Sequence, residues 1–396
     1  MRFDRRSPRC YVAHLKFVLA LLAAWLLRSA RHKRARQGRP YVVMTGNHSL
    51  AGNLKAFYEY ANRADDLPYR VYYATIDRRE YNALRQTFDP DDLLLATRVS
   101  DVVKVLGASC IMASHGPGIF FLINKLCPEI HFIDVGHGIG FKAFFPKHFK
   151  LMRFYTKTFL SSPHLLETYR DEYLWRPEQL LVTGYARLDR FQRADEIAER
   201  VRRELGLNGL GKIILYAPTW RTRGDVGEIP FGLETGEFLA RLNELCGRIG
   251  ATTVFRLHMN SSLLEDLGGY DHIVSISQKD YPETNDLLTA VDLLISDWST
   301  IAPDFAALDR PVIFLDTPMP PPYDQAPPTI PRGGDIVGSM EALLEAVERR
   351  LTDPRAGIDE TQVRMREAFH GETLDGRATE RYDRAIRRLI ARPSGG

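Results

Sequence analysis

The chain has 396 residues, enough for two or three domains of about 100–200 residues each. Hydrophobic residues make up 44% and charged residues 26%, which excludes collagen, coiled-coil, disulfide-built and fully disordered classes. The net charge of +3 is unevenly distributed, because residues 1–40 contain eleven Lys or Arg and one acid and carry +10, whereas the rest carries −7. This acidic body argues against a nucleic-acid partner for the protein.

The N-terminal segment contains an apolar run at residues 17–27, with basic residues on both sides. These eleven residues are too few for a spanning helix, which needs about 20. The basic cluster that follows opposes translocation as a signal peptide. We therefore expect residues 1–40 to form a basic amphipathic helix on an anionic membrane surface, at the cytoplasmic face and peripheral. The alternatives are a helix packed on the protein's own core and a nucleic-acid arm.

Beyond residue 40, short β-branched runs alternate with amphipathic segments, which is typical of parallel sheets with helical crossovers. The first series of predicted strands is 41–45, 70–74, 110–113, 130–134, 158–161 and 180–183, with helices at 53–63 and 116–125. The second series is 213–217, 253–257, 273–276, 293–296 and 312–315, with helices at 236–248, 284–290 and 300–308. The pattern predicts two doubly wound domains, 41–190 and 191–375. A terminal helix in 376–396 is expected to pack back across both.

The four cysteines, at positions 10, 110, 127 and 246, lie far apart and show no CxxC spacing. We therefore expect buried free thiols rather than a disulfide framework. No cluster has metal-ligand spacing, and neither a metal nor a cofactor is predicted.

Ligands of doubly wound sheets bind at the carboxyl ends of the strands. His137 stands between two glycines after the fourth predicted strand, where an imidazole could take a proton from a hydroxyl; it could equally cap a turn. In the second series, Thr219 and Arg221 follow one strand, and Arg256 and His258 end another. Arg221 suits phosphate, although each of these residues also has a structural interpretation. A further predicted strand is followed by the start of a helix. The residues at this junction could bind an anion or simply cap the helix, and they are Ser296, Asp297, Ser299 and Thr300.

Five motifs follow one another along the chain: Gly136-His137-Gly138-Ile139-Gly140-Phe141-Lys142, Thr183-Gly184-Tyr185-Ala186-Arg187-Leu188-Asp189, Tyr216-Ala217-Pro218-Thr219-Trp220-Arg221, Arg256-Leu257-His258 and Ser296-Asp297-Trp298-Ser299-Thr300. Taken in order, they resemble signature blocks of the CDP-glycerol glycerophosphotransferase family, the teichoic acid primases and polymerases. Residues 304–314 continue the last block, and 375–381 resemble the family's C-terminal block. The resemblance covers roughly residues 41–391. The family's His-Gly-Thr-Pro-Leu-Lys, Pro-Arg-Asn-Asp and His-Pro blocks are altered here, but their His, Lys, Arg and Asp positions are kept.

The resemblance implies a GT-B-like fold with two Rossmann-like domains facing across a cleft, 41–190 binding the acceptor and 191–375 the nucleotide donor. It implies transfer of glycerol phosphate, or a related polyol phosphate, from CDP-glycerol to a hydroxyl acceptor that is lipid-linked or polymeric. CMP is released. The alternatives are a GT-B glycosyltransferase that uses a nucleotide sugar and a non-catalytic membrane-recruited scaffold.

Site residues follow from the same resemblance. His137 and His258 would be catalytic, with His137 as the base that deprotonates the acceptor. The residues expected to bind the donor phosphates are Arg221, Thr219, Ser296, Asp297, Ser299 and Thr300. Further candidates are Gly138, Lys142, Arg187, Asp189 and Arg256.

Overall fold

The computed structural model describes residues 7–35, 39–46, 50–137, 141, 152–219, 229–256, 269–319 and 330–391, without the side chains of 28–35. The chain divides into two compact units. Unit 1 comprises residues 1–137, 145–189 and 375–396, and unit 2 comprises 138–144 and 190–374. The sequence predicts consecutive domains with a terminal helix across both. The units differ from this prediction in two ways. Residues 138–144 belong to unit 2, and the terminal helix belongs to unit 1.

Unit 1 is built on a seven-stranded sheet in the order β3-β2-β1-β4-β5-β6-β7. Its strands are β1 (Tyr41–Thr45), β2 (Arg70–Thr75), β3 (Leu93–Leu95), β4 (Cys110–Ala113), β5 (His131–Asp134), β6 (Lys157–Leu160) and β7 (Leu180–Val182). Its helices are α1 (Pro8–Ala35), α2 (Gly52–Arg63), α3 (Arg78–Leu84), α4 (Val99–Leu106), α5 (Phe121–Leu126), α6 (Pro163–Asp171) and, last in the chain, α13 (Ala378–Ala391). All six neighbouring strand pairs are parallel, so the seven carboxyl ends lie along one edge.

Unit 2 contains a six-stranded sheet in the order β10-β9-β8-β11-β12-β13, again with every neighbouring pair parallel. Its strands are β8 (Lys212–Tyr216), β9 (Ala251–Phe255), β10 (Ile273–Ser275), β11 (Leu293–Ser296), β12 (Val312–Leu315) and β13 (Asp335–Val337). Its helices are α7 (Ala194–Glu204), α8 (Thr235–Ile249), α9 (Thr284–Thr289), α10 (Ile301–Ala306), α11 (Met340–Thr352) and α12 (Glu360–His370).

The predicted class of two doubly wound parallel-sheet domains is confirmed, and all eleven predicted strands are present within two residues of their expected ends. Central strands such as β4 and β9 are buried throughout, which is why they show continuous apolar runs. The sequence missed β3 and β13. Both are three-residue strands at a sheet edge, too short for a periodic pattern. The four cysteines are free and buried, as predicted.

Helix α1 is an integral part of unit 1 and packs against α4. One stripe of the helix is buried, and it consists of Cys10, Phe17, Ala20, Leu21 and Ala24. The Phe17 ring lies 5.2 Å from that of Phe120, centroid to centroid. The opposite stripe is also apolar yet exposed, and it consists of Tyr11, Val12, Leu15, Leu19, Leu22, Trp25, Leu26 and Leu27. The expected amphipathic helix is thus apolar on both faces.

Helix α13 closes the core of unit 1. Tyr382 is fully buried and its ring contacts those of Phe57 and Phe159, at 5.8 and 4.7 Å between centroids. On the same helix, Asp383 accepts a 2.7 Å hydrogen bond from the Tyr69 hydroxyl. Helix α13 therefore packs on helix and strand side chains of unit 1 that precede it by more than 200 residues in the sequence.

The turn after β5 is shaped by a buried carboxyl group. Asp134 Oδ1 accepts a 3.0 Å hydrogen bond from the backbone N–H of Gly136, whose φ of +59° suits glycine. Burial raises the pKa of Asp134 to about 7, although the Gly136 hydrogen bond lowers it. This turn directs the chain to His137.

The raised pKa of Asp134 predicts how the free energy of unfolding depends on pH. Because folded Asp134 holds its proton more tightly than the unfolded chain does, its stabilising contribution is complete below pH 4 and is lost as the pH rises toward 7. Asp134→Asn keeps an acceptor for Gly136 but cannot ionise. We expect the unfolding free energy of this variant, relative to wild type, to increase from pH 4 to pH 7 in urea titrations.

The matched control is Asp171→Asn, an exposed aspartate of the same unit whose pKa is lowered by its Arg170 partner. Its relative stability should not rise over this range. A difference for Asp134→Asn that stays constant with pH would contradict the burial of an ionisable group at this turn.

Candidate active site

Two histidines meet at the carboxyl edge of the unit 1 sheet. His137 follows β5, and His115 follows the neighbouring strand β4. Both side chains are exposed, and their rings stack with centroids 4.1 Å apart and planes 16° apart. The sheet edge therefore presents a pair of imidazoles, groups that exchange protons near neutral pH.

Asn53, a buried residue in the first turn of α2, connects the His137 loop to the 3₁₀ helix Ala186–Arg193. Its Nδ2 donates to the carbonyls of Val135 at 2.9 Å and Gly136 at 3.2 Å. Its Oδ1 accepts from the backbone N–H of Arg187 at 3.1 Å. One amide thus connects both predicted motifs of unit 1, because an amide side chain can donate and accept hydrogen bonds at once.

Arg187 lies beside this clamp, so the structure brings it together with the His137 loop as the motifs suggest. Its side chain is buried and its guanidinium carbon lies 4.4 Å from the Tyr185 ring centroid. A Cβ on Gly136 would come within 3.6 Å of that same tyrosine ring. The cation is therefore held close to the sheet edge rather than extended into solvent.

Asp189 has a structural role. Its carboxylate accepts hydrogen bonds from the backbone N–H groups of Ala378 at 2.9 Å and Thr379 at 2.8 Å, and from the Thr379 hydroxyl at 2.8 Å. Burial raises the pKa of Asp189, and these hydrogen bonds oppose that shift. The aspartate of the motif thus caps the first turn of α13 and is not aimed at the imidazole pair.

In unit 2, three predicted residues join the carboxyl ends of β8 and β11. Asp297 Oδ1 accepts from the Thr219 backbone N–H at 2.7 Å and from the Thr219 hydroxyl at 2.6 Å. The Ser296 hydroxyl donates to the Ala217 carbonyl at 2.7 Å. Ser296 and Asp297 are both buried, so these two hold the strand ends in place rather than facing solvent.

Ser299 and Thr300 follow directly and precede α10. Both are half-buried. Thr300 occupies the N-cap position without a side-chain capping hydrogen bond, and Ser299 Oγ makes only a long 3.5 Å contact with the Ile301 N–H. The helix start therefore does not depend on these hydroxyls in the way a standard capping residue would.

Arg256 follows β9 and is 9% exposed. Its Nη2 donates at 2.8 Å to both the Tyr281 carbonyl and the Thr284 hydroxyl. Its buried Nη1 has no hydrogen-bond partner within the described part of the chain. Burial lowers the pKa of this guanidinium to about 10, so it remains a cation at neutral pH.

Four predicted site residues lie outside the described residues: Gly138, Lys142, Arg221 and His258. Within the described ranges, no group of three or more His, Cys, Asp and Glu side chains is arranged to hold a metal ion.

Sequence reasoning missed three residues of the unit 1 edge. His115 had a signal, because two neighbouring strands both end in a His-Gly pair. Asp134 directly ends a predicted strand, which is the usual place for a turn-forming aspartate. Asn53 had no local signal, since its partners are 82 and 134 residues away.

The chain is similar in sequence and in fold to known proteins. A family model described as CDP-Glycerol:Poly(glycerophosphate) glycerophosphotransferase matches residues 41–387. A teichoic acid ribitol-phosphate polymerase of Staphylococcus aureus is 28% identical over 245 residues, which cover 58% of this chain and 44% of that protein. A teichoic acid glycerol-phosphate transferase of the same species is 25% identical over 244 residues, covering 57% of this chain and 58% of that protein. The chain thus spans less than two thirds of these relatives.

Among solved structures, the wall teichoic acid polymerase TagF has a TM-score of 0.67 at 20% identity, over 96% of this chain and 98% of that chain. A UDP-GlcNAc 2-epimerase of Neisseria meningitidis has a TM-score of 0.61 at 12% identity, over 88% of this chain and all of that chain. These likenesses confirm the predicted GT-B-like fold and, at such identities, the fold alone. Because the family match spans the strand-end motifs of both units, the chain belongs to the CDP-glycerol:poly(glycerophosphate) glycerophosphotransferase family.

Proposed function

We propose that this protein transfers glycerol phosphate, or a related polyol phosphate, from a CDP-alcohol to a hydroxyl acceptor in cell-surface polymer synthesis. The family match across residues 41–387 carries this proposal, because it includes every strand-end motif singled out above. The curated relatives named as glycerol-phosphate and ribitol-phosphate enzymes support the reaction class. They leave the polyol open, which the donor screen below addresses.

In the proposed reaction, His137 is the general base. The acceptor oxygen attacks the distal phosphorus of the donor and its proton passes to an imidazole nitrogen of His137. The bond between that phosphorus and the bridging oxygen breaks, and CMP leaves with the electron pair. Exposure of the His137 ring, together with the clamped loop beneath it, supports this assignment.

Unit 2 is proposed to bind the donor. Its contribution is electrostatic, because the charge that develops on CMP and on the pyrophosphate needs fixed donors and cations. Arg256 is a buried cation at a strand end, and its Nη1 has no hydrogen-bond partner among the residues that the structure describes. The Thr300 hydroxyl makes no capping hydrogen bond. The other residues proposed to bind the donor are Arg221, His258 and Ser299. The ends of the strands beside them are held in place by Thr219, Ser296 and Asp297.

A donor screen tests the reaction class. We expect the full chain, with membrane extract as acceptor source, to release CMP from CDP-glycerol or CDP-ribitol. It should not release UDP from UDP-sugars, because the family match predicts a CDP-alcohol donor. Nucleotide release is measured by chromatography. UDP release alone would support the glycosyltransferase alternative. If no donor releases a nucleotide and no donor stabilises the protein thermally, the result would support the non-catalytic scaffold.

The base is tested by His137→Ala. Loss of a general base should lower CMP release by about 10²–10⁴-fold while leaving the unfolding midpoint unchanged, because the ring is exposed. His164→Ala removes another exposed histidine from unit 1 and should keep wild-type turnover. If His137→Ala retains more than a tenth of the activity, His137 is not the base.

We also propose that α1 attaches the protein peripherally to the cytoplasmic face of a membrane. By length and composition, Pro8–Leu27 is the one described helix that could cross a bilayer, with a mean hydropathy of 1.9. A spanning helix would be surrounded by lipid, whereas one stripe of α1 is packed on unit 1. Its exposed stripe and basic flanking residues suit an in-plane helix on anionic lipid.

Substitutions on the exposed stripe test this attachment without disturbing the fold. Deleting residues 1–36 would uncover the surface that Phe17 covers, so we choose the triple variant Leu15→Ser, Leu19→Ser and Leu26→Ser instead. These side chains are 58–68% exposed, and the variant should lose sedimentation with vesicles of anionic lipid. CMP release in solution should be unchanged.

The control is Ile336→Ser, which removes an exposed apolar side chain from unit 2 and should leave vesicle binding intact. Unchanged binding by the triple variant would show that the exposed stripe does not meet the membrane.

A further inference from the structure

We propose that His115 is a positioning residue for His137, holding the imidazole of the proposed base in one orientation by ring stacking. The inference rests on the proposed function, because it assigns His115 a role toward the His137 base. It adds a residue that lies outside the five signature motifs.

Sheet geometry explains why the rings meet. β4 and β5 are neighbours in register, with Ala113 opposite Asp134, and neighbouring strands run about 4.8 Å apart. His115 and His137 stand two and three residues beyond these partners. The strand pairing therefore brings the two loops side by side, and there the rings stack with centroids 4.1 Å apart and planes 16° apart.

Each ring is anchored on its own side. The Ser114 hydroxyl lies 2.9 Å from His115 Nδ1, and Ser114 itself is buried. The His137 loop is held by Asp134 through Gly136 and by the Asn53 amide. The segments that carry His115 and His137 are thus each held by their own hydrogen bonds, and these bonds bring the two rings into contact.

The stack matters because His137 is exposed. Exposed side chains move among several rotamers. A flat partner that is itself fixed restricts the ring, so a larger fraction of molecules holds the base where the acceptor hydroxyl must lie. Since both rings are on the surface, the contact adds little to the core, and its loss should alter turnover rather than folding.

This role needs a flat ring at position 115 but not a titrating nitrogen. His115→Phe should therefore keep CMP release from CDP-glycerol within about threefold of wild type, whereas His115→Ala should lower kcat about tenfold. KM for CDP-glycerol should change by less than about twofold, because the donor is assigned to unit 2. Unfolding midpoints of both variants should match wild type.

A double variant separates positioning from an independent role. In the His137→Ala background, His115→Ala should cause no further loss, because its effect passes through the base. A further loss, an inactive His115→Phe, or an unaffected His115→Ala would each overturn the proposal.

A second readout does not depend on turnover. In protein with labelled histidine, the ring current of residue 115 should shift the His137 Cε1–H resonance upfield; the shift should persist in His115→Phe and vanish in His115→Ala. Absence of this shift in wild type overturns the positioning role. If the shift is present but wild type releases no CMP from CDP-glycerol or CDP-ribitol, the proposed function fails while the stack stands.

Discussion

Parallel pairing is the constraint on which the rest of this structure depends. Each neighbouring strand pair in both sheets is parallel, so every strand must be reached by a crossover that begins at the same edge. The carboxyl ends of strands that are far apart in sequence therefore lie in two rows, one along the edge of each sheet. His115 and His137 lie beside each other because their strands are neighbours, and the same holds for Thr219 and Asp297. The chemistry proposed for the protein is a consequence of that arrangement.

The rows contain two kinds of polar residue, which sequence motifs do not distinguish. Asp189 and Asp297 use their carboxylates on backbone N–H groups, one at the start of α13 and one at the end of β8. His137 is exposed, and Arg256 keeps a nitrogen without a partner among the described residues. The motifs of both units thus contain buried acceptors that stabilise loops, and also groups that are exposed or lack a partner among the described residues. Only the hydrogen bonds distinguish the two kinds.

The sequence predicts the periodic part of the fold well. Buried parallel strands leave continuous apolar runs, so eleven strands could be placed, whereas the three-residue edge strands β3 and β13 leave none. His137 lies inside a predicted motif and is exposed at the carboxyl edge of the sheet, and its catalytic role stays a prediction. Sequence reasoning could not find Asn53, whose role arises from partners 82 and 134 residues away. The sequence left open whether α1 packs on the protein or lies on a membrane, because composition records hydrophobicity and not which face is covered. The structure shows one apolar stripe of α1 buried and another exposed.

A phosphotransferase moves the phosphorus together with the polyol, which distinguishes it from a glycosyltransferase of the same fold. The direct measurement uses CDP-glycerol labelled with ¹⁴C in glycerol and ³²P in the distal phosphate, incubated with the full chain and membrane extract. We expect both labels in the acceptor product in a one-to-one ratio, with unlabelled CMP released. Product containing ¹⁴C without ³²P, or ³²P retained on the nucleotide, would contradict the proposed transfer of glycerol phosphate.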